Sequence, residues 1–347
     1  MVGGQDRTTL SARQGFHAEG AESAERTRST ATARAGVVDS SSRPPVPART
    51  FELRPDGAPF MHRRTFVQTL GATLLAPAVA CTTARAAAPV PTGERRLTRI
   101  GIQLYTLRDA ARADLDRTLA DIAAAGYTDV EMLMSLRNFN HSPADVRRML
   151  DSHGLRAPST HIGTATLANV DGAVDEARTL GHRYLILADL PASARRSLAD
   201  FGAYADTLNR AGEAARKHDL WIAWHDEADD FKTFDGQQGY DALVARLDPS
   251  LVRLQLDTGN AAVGGRDPLD LMKRYGDRYY SFHIKDAPGI PSPHDVELGK
   301  GIVDLRGILS RVKTFDDRYF YVEQETYPDT PLASVKRDFA YISALRF

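Results

Sequence analysis

The chain has 347 residues, of which 42% are hydrophobic and 26% are charged, as is typical of globular proteins. Its 44 Lys and Arg residues nearly balance 45 Asp and Glu residues, so no positive excess indicates nucleic acid or an anionic membrane as a partner. A single cysteine excludes an intrachain disulfide and a cysteine-rich zinc site.

The first 60 residues are rich in Ala, Ser, Thr, Arg and Gly and lack aliphatic periodicity. Such a segment cannot bury enough apolar surface to offset its chain entropy. We therefore expect residues 1–60 to be disordered or not translated.

Residues 61–81, "MHRRTFVQTLGATLLAPAVAC", have the order of a secretory signal. Arg63 and Arg64 precede a modest apolar run that ends in small residues, and this run is too short and polar to span a membrane. The segment resembles a bacterial twin-arginine export signal, which implies the Tat export machinery as a partner, a periplasmic location and Met61 as the true start. An amphipathic leader helix is the alternative.

The end of this segment, Ala78 to Cys81, also resembles a lipoprotein processing box, although Leu is usual where Ala78 stands. A lipid on Cys81 would be the chain's contact with a membrane. Residues 82–97 are predicted to be a linker.

Residues 98–347 have the usual length of one (β/α)8 TIM barrel, about 250 residues. Short apolar runs recur at a spacing that suits a strand-loop-helix-loop unit, and a helix lies between each pair of runs. The runs end near Tyr105, Glu131, His161, Ala188, His225, Asp257, His283 and Glu323.

The intervening segments carry helix signals. Leu115, Leu119 and Ile122 repeat at helical spacing before Gly126, and Ser142 followed by Pro143 is typical of a helix start. Eight such units predict a parallel sheet that closes into a barrel as a single domain. An open doubly wound sheet is the alternative, and it is disfavoured because no Gly-rich dinucleotide loop follows the first strand.

The last four predicted strands finish on residues that bind metals: His225, Asp257, His283 and Glu323. In a barrel, the carboxyl ends of the strands form the active face. A mixed imidazole and carboxylate set suits one divalent ion such as Mn²⁺, Zn²⁺, Co²⁺ or Mg²⁺. Taken alone, the stretch around His283 is more typical of a hydrogen-bonded core histidine.

The segments "GIQLYTLRD", "GHRYLIL", "HIKD", "GKGIVD" and "YVEQE" together resemble the sugar phosphate isomerase/epimerase group, which has a xylose isomerase-like TIM barrel. The resemblance implies that Asp257, His283 and Glu323 hold a metal ion. The fifth strand departs from the family pattern, because His225-Asp226-Glu227 stands where relatives have Glu-Asn-His or His-Asn-His. The fourth ligand is therefore open between His225 and Glu227.

Five residues are predicted to bind substrate: Tyr105, Trp224, Asn260, Lys285 and Lys300. Asn260 stands where relatives often have His, and it can hydrogen-bond a sugar hydroxyl or simply belong to a turn. Trp224 either stacks on a sugar ring or packs in the core. Lys300 either closes over an anionic group or is a solvated loop residue.

These residues predict a metal-dependent sugar isomerase or epimerase that abstracts a proton next to a carbonyl and passes through an ene-diolate. The base is Glu323 or Glu227, and the partner acid is His161 or Glu131. The structural alternatives are a helix-facing carboxylate for Glu131 and a loop histidine for His161. Rival functions are a lyase or hydrolase for 3-keto-glycosides and a non-catalytic carbohydrate-binding lipoprotein. A DNA-repair nuclease is disfavoured by the balanced charge.

Overall fold

The computed structural model describes residues 94–347. Within this range the chain forms ten strands, which are β1 (Gly101–Gln103), β2 (Asp129–Leu133), β3 (Arg156–Ile162), β4 (Tyr184–Leu187), β5 (Trp221–His225), β6 (Thr233–Phe234), β7 (Gln237–Gln238), β8 (Val252–Asp257), β9 (Tyr279–Ile284) and β10 (Tyr319–Val322). Eight of them close into a parallel barrel in the order β1-β10-β9-β8-β5-β4-β3-β2, and β6 pairs with β7 as a separate antiparallel hairpin. The predicted (β/α)8 TIM barrel is confirmed.

Helices surround this barrel. They are α1 (Arg108–Ala113), α2 (Leu115–Ala125), α3 (Pro143–Ser152), α4 (Thr164–Ala168), α5 (Val174–Leu180), α6 (Leu198–Arg216), α7 (Gly239–Arg246), α8 (Thr258–Val263), α9 (Pro268–Tyr275), α10 (Leu305–Ser310) and α11 (Pro331–Ala344). The predicted start of α3 is confirmed, since Ser142 Oγ accepts a hydrogen bond from the Asp145 amide and Pro143 occupies the first turn. Gly126 ends α2 with φ of 106°, which a residue with a Cβ adopts only under strain.

Apolar side chains divide between two cores. The larger core lies between the strands and the helices, and a smaller one of Tyr184, Ile186, Ala223, Tyr319 and Tyr321 fills part of the barrel interior. Because side chains alternate across a strand, each barrel strand supplies both faces. The positions that face inward nearer the carboxyl ends of the strands are polar.

The predicted strand ends agree with the structure to within two residues. His225 and Asp257 are the last residues of β5 and β8, and Glu323 directly follows β10. Tyr105 is the residue that changes element, because β1 ends at Gln103 and Tyr105 belongs to a 3₁₀ turn over Leu104–Leu107.

The predicted signal segment, residues 61–81, and Cys81 lie outside the described residues, so export and lipidation stay predictions. Among residues 94–347, no helix has both the length and the apolar character needed to cross a bilayer.

One buried histidine gives the fold a dependence on pH. His182, before β4, is 4% exposed and its Nδ1 lies 2.6 Å from the Ala157 carbonyl oxygen, to which it donates. Its Nε2 is buried and has no hydrogen-bond partner among the described residues. Burial lowers the pKa of His182 from 6.5 to about 4, since a charged ring there would lack solvation.

We expect the free energy of unfolding to fall as the pH drops from 6.5 towards 4. In that range His182 binds a proton in the unfolded chain but stays neutral in the folded protein. The full shift corresponds to about 3 kcal/mol. In His182→Asn the amide can still donate to Ala157, so urea unfolding at pH 7 and pH 4.5 is expected to show a smaller difference than the wild type. An equal difference in the variant and the wild type would contradict this role, with His294→Asn, at an exposed position, as the control.

Candidate metal centre and active site

Six barrel strands bring titratable side chains together at the carboxyl end of the barrel. Three imidazoles from β3, β5 and β9 face one another, with ring centroids 4.9 Å apart for His161 and His225, 5.2 Å for His161 and His283, and 4.6 Å for His225 and His283. Carboxylates from β2, β8 and the end of β10 adjoin these rings. All of these side chains are buried, so the structure gathers the predicted metal ligands in one place.

His283 lies at the centre of the cluster. Its Nδ1 is 2.7 Å from Glu323 Oε2 and 3.6 Å from Asp257 Oδ2, and its Nε2 is 2.6 Å from Glu131 Oε2. Burial lowers the pKa of His283, but Glu323 and Glu131 outweigh burial and hold that pKa well above its ordinary value. The pocket around Nδ1 therefore has a strongly negative potential, which favours a cation.

Glu131 is saturated with donors. Ser159 Oγ donates to Oε1 at 2.6 Å, Gln103 Nε2 donates to Oε2 at 2.8 Å, and Gln255 Nε2 lies within 3.1 Å of both oxygens. Burial raises the pKa of Glu131, but His161 and His283 outweigh burial and keep it well below its usual value. A carboxylate so occupied orients its neighbours, which favours a positioning role for Glu131 over the predicted role as an acid.

The amide of Gln255 fixes the orientation of two histidines. Its Nε2 donates to Glu131 and, at 2.8 Å, to Ser281 Oγ, so its Oε1 must accept. That oxygen lies 3.0 Å from both His161 Nε2 and His225 Nδ1. His225 therefore carries its proton on Nδ1 and presents the lone pair of Nε2 towards the barrel mouth, as a metal ligand requires.

The polar layer beneath the ligands was not predicted from the sequence. It consists of Ser159, Gln255, Ser281 and Tyr321, and the Tyr321 hydroxyl donates to Ser159 Oγ at 2.7 Å. A sequence signal for this layer existed, because each of these residues stands two positions before a predicted site residue on the same strand. Side chains two apart point to the same side of a strand.

Asp257 uses its two oxygens differently. Oδ1 accepts hydrogen bonds at 2.8 Å from the amides of Gly259 and Asn260, which caps α8. Oδ2 is buried and accepts no well-directed hydrogen bond from the described residues, although Lys285 Nζ lies 3.2 Å away. An unsatisfied buried carboxylate oxygen is costly, and a cation beside it would remove that cost.

Lys285 neutralises part of this charge. Its Nζ lies 3.2 Å from Asp257 Oδ2, 3.2 Å from Glu323 Oε2 and 2.9 Å from Glu325 Oε1. Burial lowers the pKa of Lys285, but Asp257, Glu323 and Glu325 raise it more, and the net pKa lies well above the ordinary value. The ammonium is thus a fixed positive charge at the edge of the candidate site.

The donor set fits a divalent metal ion. Two groups have ligand atoms that all lie within 4.8 Å of one another, one formed by His161, His225 and His283 and the other by Asp257, His283 and Glu323. Two imidazoles facing two carboxylates suit Zn²⁺, Mn²⁺ or Co²⁺. The negative potential at His283 and the unsatisfied Asp257 oxygen support the same conclusion.

On β5, the geometry favours His225 over Glu227 as the fourth ligand. His225 is buried with an oriented lone pair, whereas the Glu227 side chain is 39% exposed and lies outside both groups of donors. Asn260 Nδ2 donates to Glu227 Oε2 at 3.1 Å and lies 3.4 Å from His225 Nε2. Through these two contacts, Asn260 joins the predicted site. Burial raises the pKa of Glu227 above its ordinary value, although its partial exposure weakens that effect.

Two predicted substrate-binding residues lie elsewhere. Trp224 alternates with His225, so its ring points out of the barrel and packs 5.1 Å from the Tyr240 ring, and the prediction that it stacks on a sugar is wrong. Lys300 is exposed on the loop between β9 and α10, and its substrate role stays a prediction.

Tyr105 is half-buried at the rim. Burial, more than the charges of Glu325 and Glu323, raises its pKa.

Comparisons with known proteins agree with this fold. The sequence profile of the family described as "Xylose isomerase-like TIM barrel" matches residues 119–345. An inosose dehydratase from Geobacillus kaustophilus is 27% identical over 196 residues, which cover 50% of this chain and 62% of that protein. An inosose dehydratase from Lacticaseibacillus casei is 34% identical over 141 residues, which cover 36% of this chain and 47% of that protein. The chain thus spans less than two thirds of either relative.

Solved structures share the fold. A sugar phosphate isomerase/epimerase from Parabacteroides distasonis superimposes with a TM-score of 0.61 and 23% identity, over 75% of this chain and 99% of that one. The IOLI protein, crystallised with a zinc atom, superimposes with a TM-score of 0.53 and 18% identity. The superposition covers 71% of this chain and 100% of that one. At these identities, the likeness concerns the fold alone.

We expect purified protein to hold about one divalent ion per chain, as one mixed donor set implies. Asp257→Asn and His283→Gln should each reduce bound metal to a small fraction, because each removes a ligand while nearly preserving shape. In Asp257→Asn the side-chain amide oxygen can still cap α8. Elemental analysis by mass spectrometry measures the loss, and Asp145→Asn on α3 serves as the control. Full occupancy in both ligand variants would exclude this site.

Proposed function

Since this chain belongs to the xylose isomerase-like TIM barrel family, we propose that it is a metal-dependent enzyme acting on a keto-sugar or keto-polyol. The reaction removes the proton next to the carbonyl and then expels a neighbouring hydroxyl as water. The observation that carries the proposal is the convergence of Asp257, His283 and Glu323 beside Lys285 and the open carboxylate of Glu227.

Asp257, His283, Glu323 and His225 would hold the ion. A divalent ion bound there supplies an electrophile that polarises the substrate carbonyl and stabilises the negative charge that develops on its oxygen. Lys285 adds a second positive charge, because its ammonium lies 3.2 Å from both Asp257 and Glu323. The buried walls exclude water, which strengthens each of these electrostatic interactions.

We assign proton abstraction to Glu227. It is partly open to the barrel mouth, and Asn260 holds its carboxylate at 3.1 Å while the Glu227 amide donates to Asp230 Oδ2 at 2.8 Å. Glu323 is bound to His283 and Lys285, so it acts mainly as a ligand. His161 is the partner acid that protonates the leaving hydroxyl, because the donors around Glu131 favour a positioning role for that carboxylate.

Dehydration is proposed ahead of isomerisation, although both begin with the same proton transfer. The relatives from Geobacillus kaustophilus and Lacticaseibacillus casei bear the name inosose dehydratase, and an inosose is a keto-polyol. In the elimination, the C–H electron pair forms the new double bond, the proton goes to Glu227, and the β-hydroxyl leaves with a proton from His161. Isomerisation and epimerisation instead return the proton to carbon.

Two glutamine substitutions test this assignment. Glu227→Gln removes the base and none of the assigned ligands, so we expect metal content near the wild-type value and turnover reduced by a factor on the order of 10² or more. Glu323→Gln is expected to lose both metal and turnover. Mass spectrometry of inososes and 3-keto-hexoses incubated in deuterated water measures dehydration and deuterium uptake together.

Loss of water supports the dehydratase. Deuterium next to the carbonyl without loss of water would instead identify an isomerase or epimerase. Wild-type protein that binds these compounds yet neither exchanges nor dehydrates them would contradict an enzymatic role and favour a carbohydrate-binding protein. Full activity in Glu227→Gln would move the base to another residue.

We also propose that the chain is exported through the twin-arginine pathway, on the strength of Arg63-Arg64 and the run that follows. Replacing both arginines by Lys is expected to retain the precursor in the cytoplasm, as measured by cell fractionation. Cys81→Ala, which removes the lipidation position, should release the exported protein from membranes if a lipid holds it. Unchanged export of the double-Lys variant would contradict this route.

A further inference from the structure

A polar cleft of about 640 Å³ opens outside the catalytic cluster, a volume within the usual range of ligand sites. One wall is the 3₁₀ segment Met134–Asn140, which directly follows β2. The other wall is formed by α4, the 3₁₀ turn Val170–Ala173 and the start of α5, which follow β3. The lining includes Arg137, Thr166 and Asn169. The cleft therefore lies on the carboxyl-end face of the barrel, like the catalytic cluster.

Asn138 shows that this cleft has an unsatisfied polar group. Its side chain is 1% exposed, and its Nδ2 donates to Glu176 Oε1 at 2.7 Å. Its Oδ1 is also buried but accepts no hydrogen bond from the described residues. A buried amide oxygen without a donor is unfavourable, so a ligand hydroxyl there would supply the missing hydrogen bond.

The wall that carries Asn138 has an unusual backbone. Arg137, Asn138, Phe139 and Asn140 all have positive φ, between 45° and 67°. A run of four non-glycine residues in the left-handed region is strained and persists only where surrounding structure imposes it. This conformation places the Asn138 side chain inside the cleft wall instead of in solvent.

The cleft also borders the catalytic strands. The Met134 amide, at its edge, donates to Thr160 Oγ1 at 2.9 Å, and Thr160 precedes His161. Glu131 lies three residues before Met134 on β2, about 10 Å along an extended strand. A ligand held in the cleft would therefore lie beside the ends of the two strands that carry Glu131 and His161.

We propose that this cleft is a subsite for a second sugar ring, so that the substrate is a glycoside whose keto ring enters the barrel. The lining suits a neutral polyhydroxylated ligand, since amides and hydroxyls both donate and accept as sugar hydroxyls do. Arg137 and Glu176 balance in charge, which disfavours a phosphate. The inference rests on the proposed sugar chemistry and adds the size of the substrate to it.

Binding measurements test the subsite without requiring turnover. The probes are glucose and galactose against maltose, cellobiose and lactose, with dissociation constants from ligand-observed NMR. We expect at least one disaccharide to bind wild-type protein about tenfold more tightly than its monosaccharide, as one further set of hydrogen bonds would give. Thr166→Val and Asn169→Leu should abolish this advantage while leaving monosaccharide affinity and metal content unchanged.

Thr179→Val, at an exposed position on α5 outside the cleft lining, is the matched control and should retain the advantage. Asn138→Leu is a stricter test, provided that its circular dichroism matches the wild type. A wild type without any preference for disaccharides, or a preference that survives Thr166→Val with Asn169→Leu, would overturn the subsite. Dehydration of small keto-polyols would still stand in that case, so the two proposals fail separately.

Discussion

A carboxylate that is fully removed from water, as Glu131 is, remains ionised only when donors surround it, because burying an unpaired charge is prohibitively costly. Here two amides, a hydroxyl and two imidazoles from four other strands supply those contacts. One buried charge thereby fixes the orientation of His283 and, through Gln255, of His161 and His225. The arrangement of the candidate metal ligands follows from this network, much as outer partners orient ligands in other metal sites.

The barrel makes such a network possible by separating polar from apolar side chains. Alternation along each strand sends one set outward to the helices, as for Trp224, and the other set inward, as for His225. Inward positions near the carboxyl ends are polar, while aromatic rings such as Tyr184 and Tyr319 pack deeper in the barrel. The helices can thus pack against a continuous apolar surface while the interior holds charges.

Much of the fold could be predicted from the sequence because apolar runs and helix caps repeat at a regular spacing. The candidate ligands Asp257, His283 and Glu323 could be predicted for the same reason, since each stands at or next to a strand end. Alternation, applied strictly, would also have moved Trp224 out of the site and revealed Gln255. The hydrogen bonds that saturate Glu131 could not be predicted, because they depend on side chains from distant strands whose register only the closed barrel sets.

Lys285 has a consequence for how the protein would acquire a metal ion. Its ammonium already neutralises part of the charge of Asp257, Glu323 and Glu325, so the strands can assemble without a metal. Small zinc domains differ, because their ligands cannot come together until the ion is bound. In this barrel an ion would add to a scaffold that is already assembled, and the supply of metals where the protein resides would decide which one it carries.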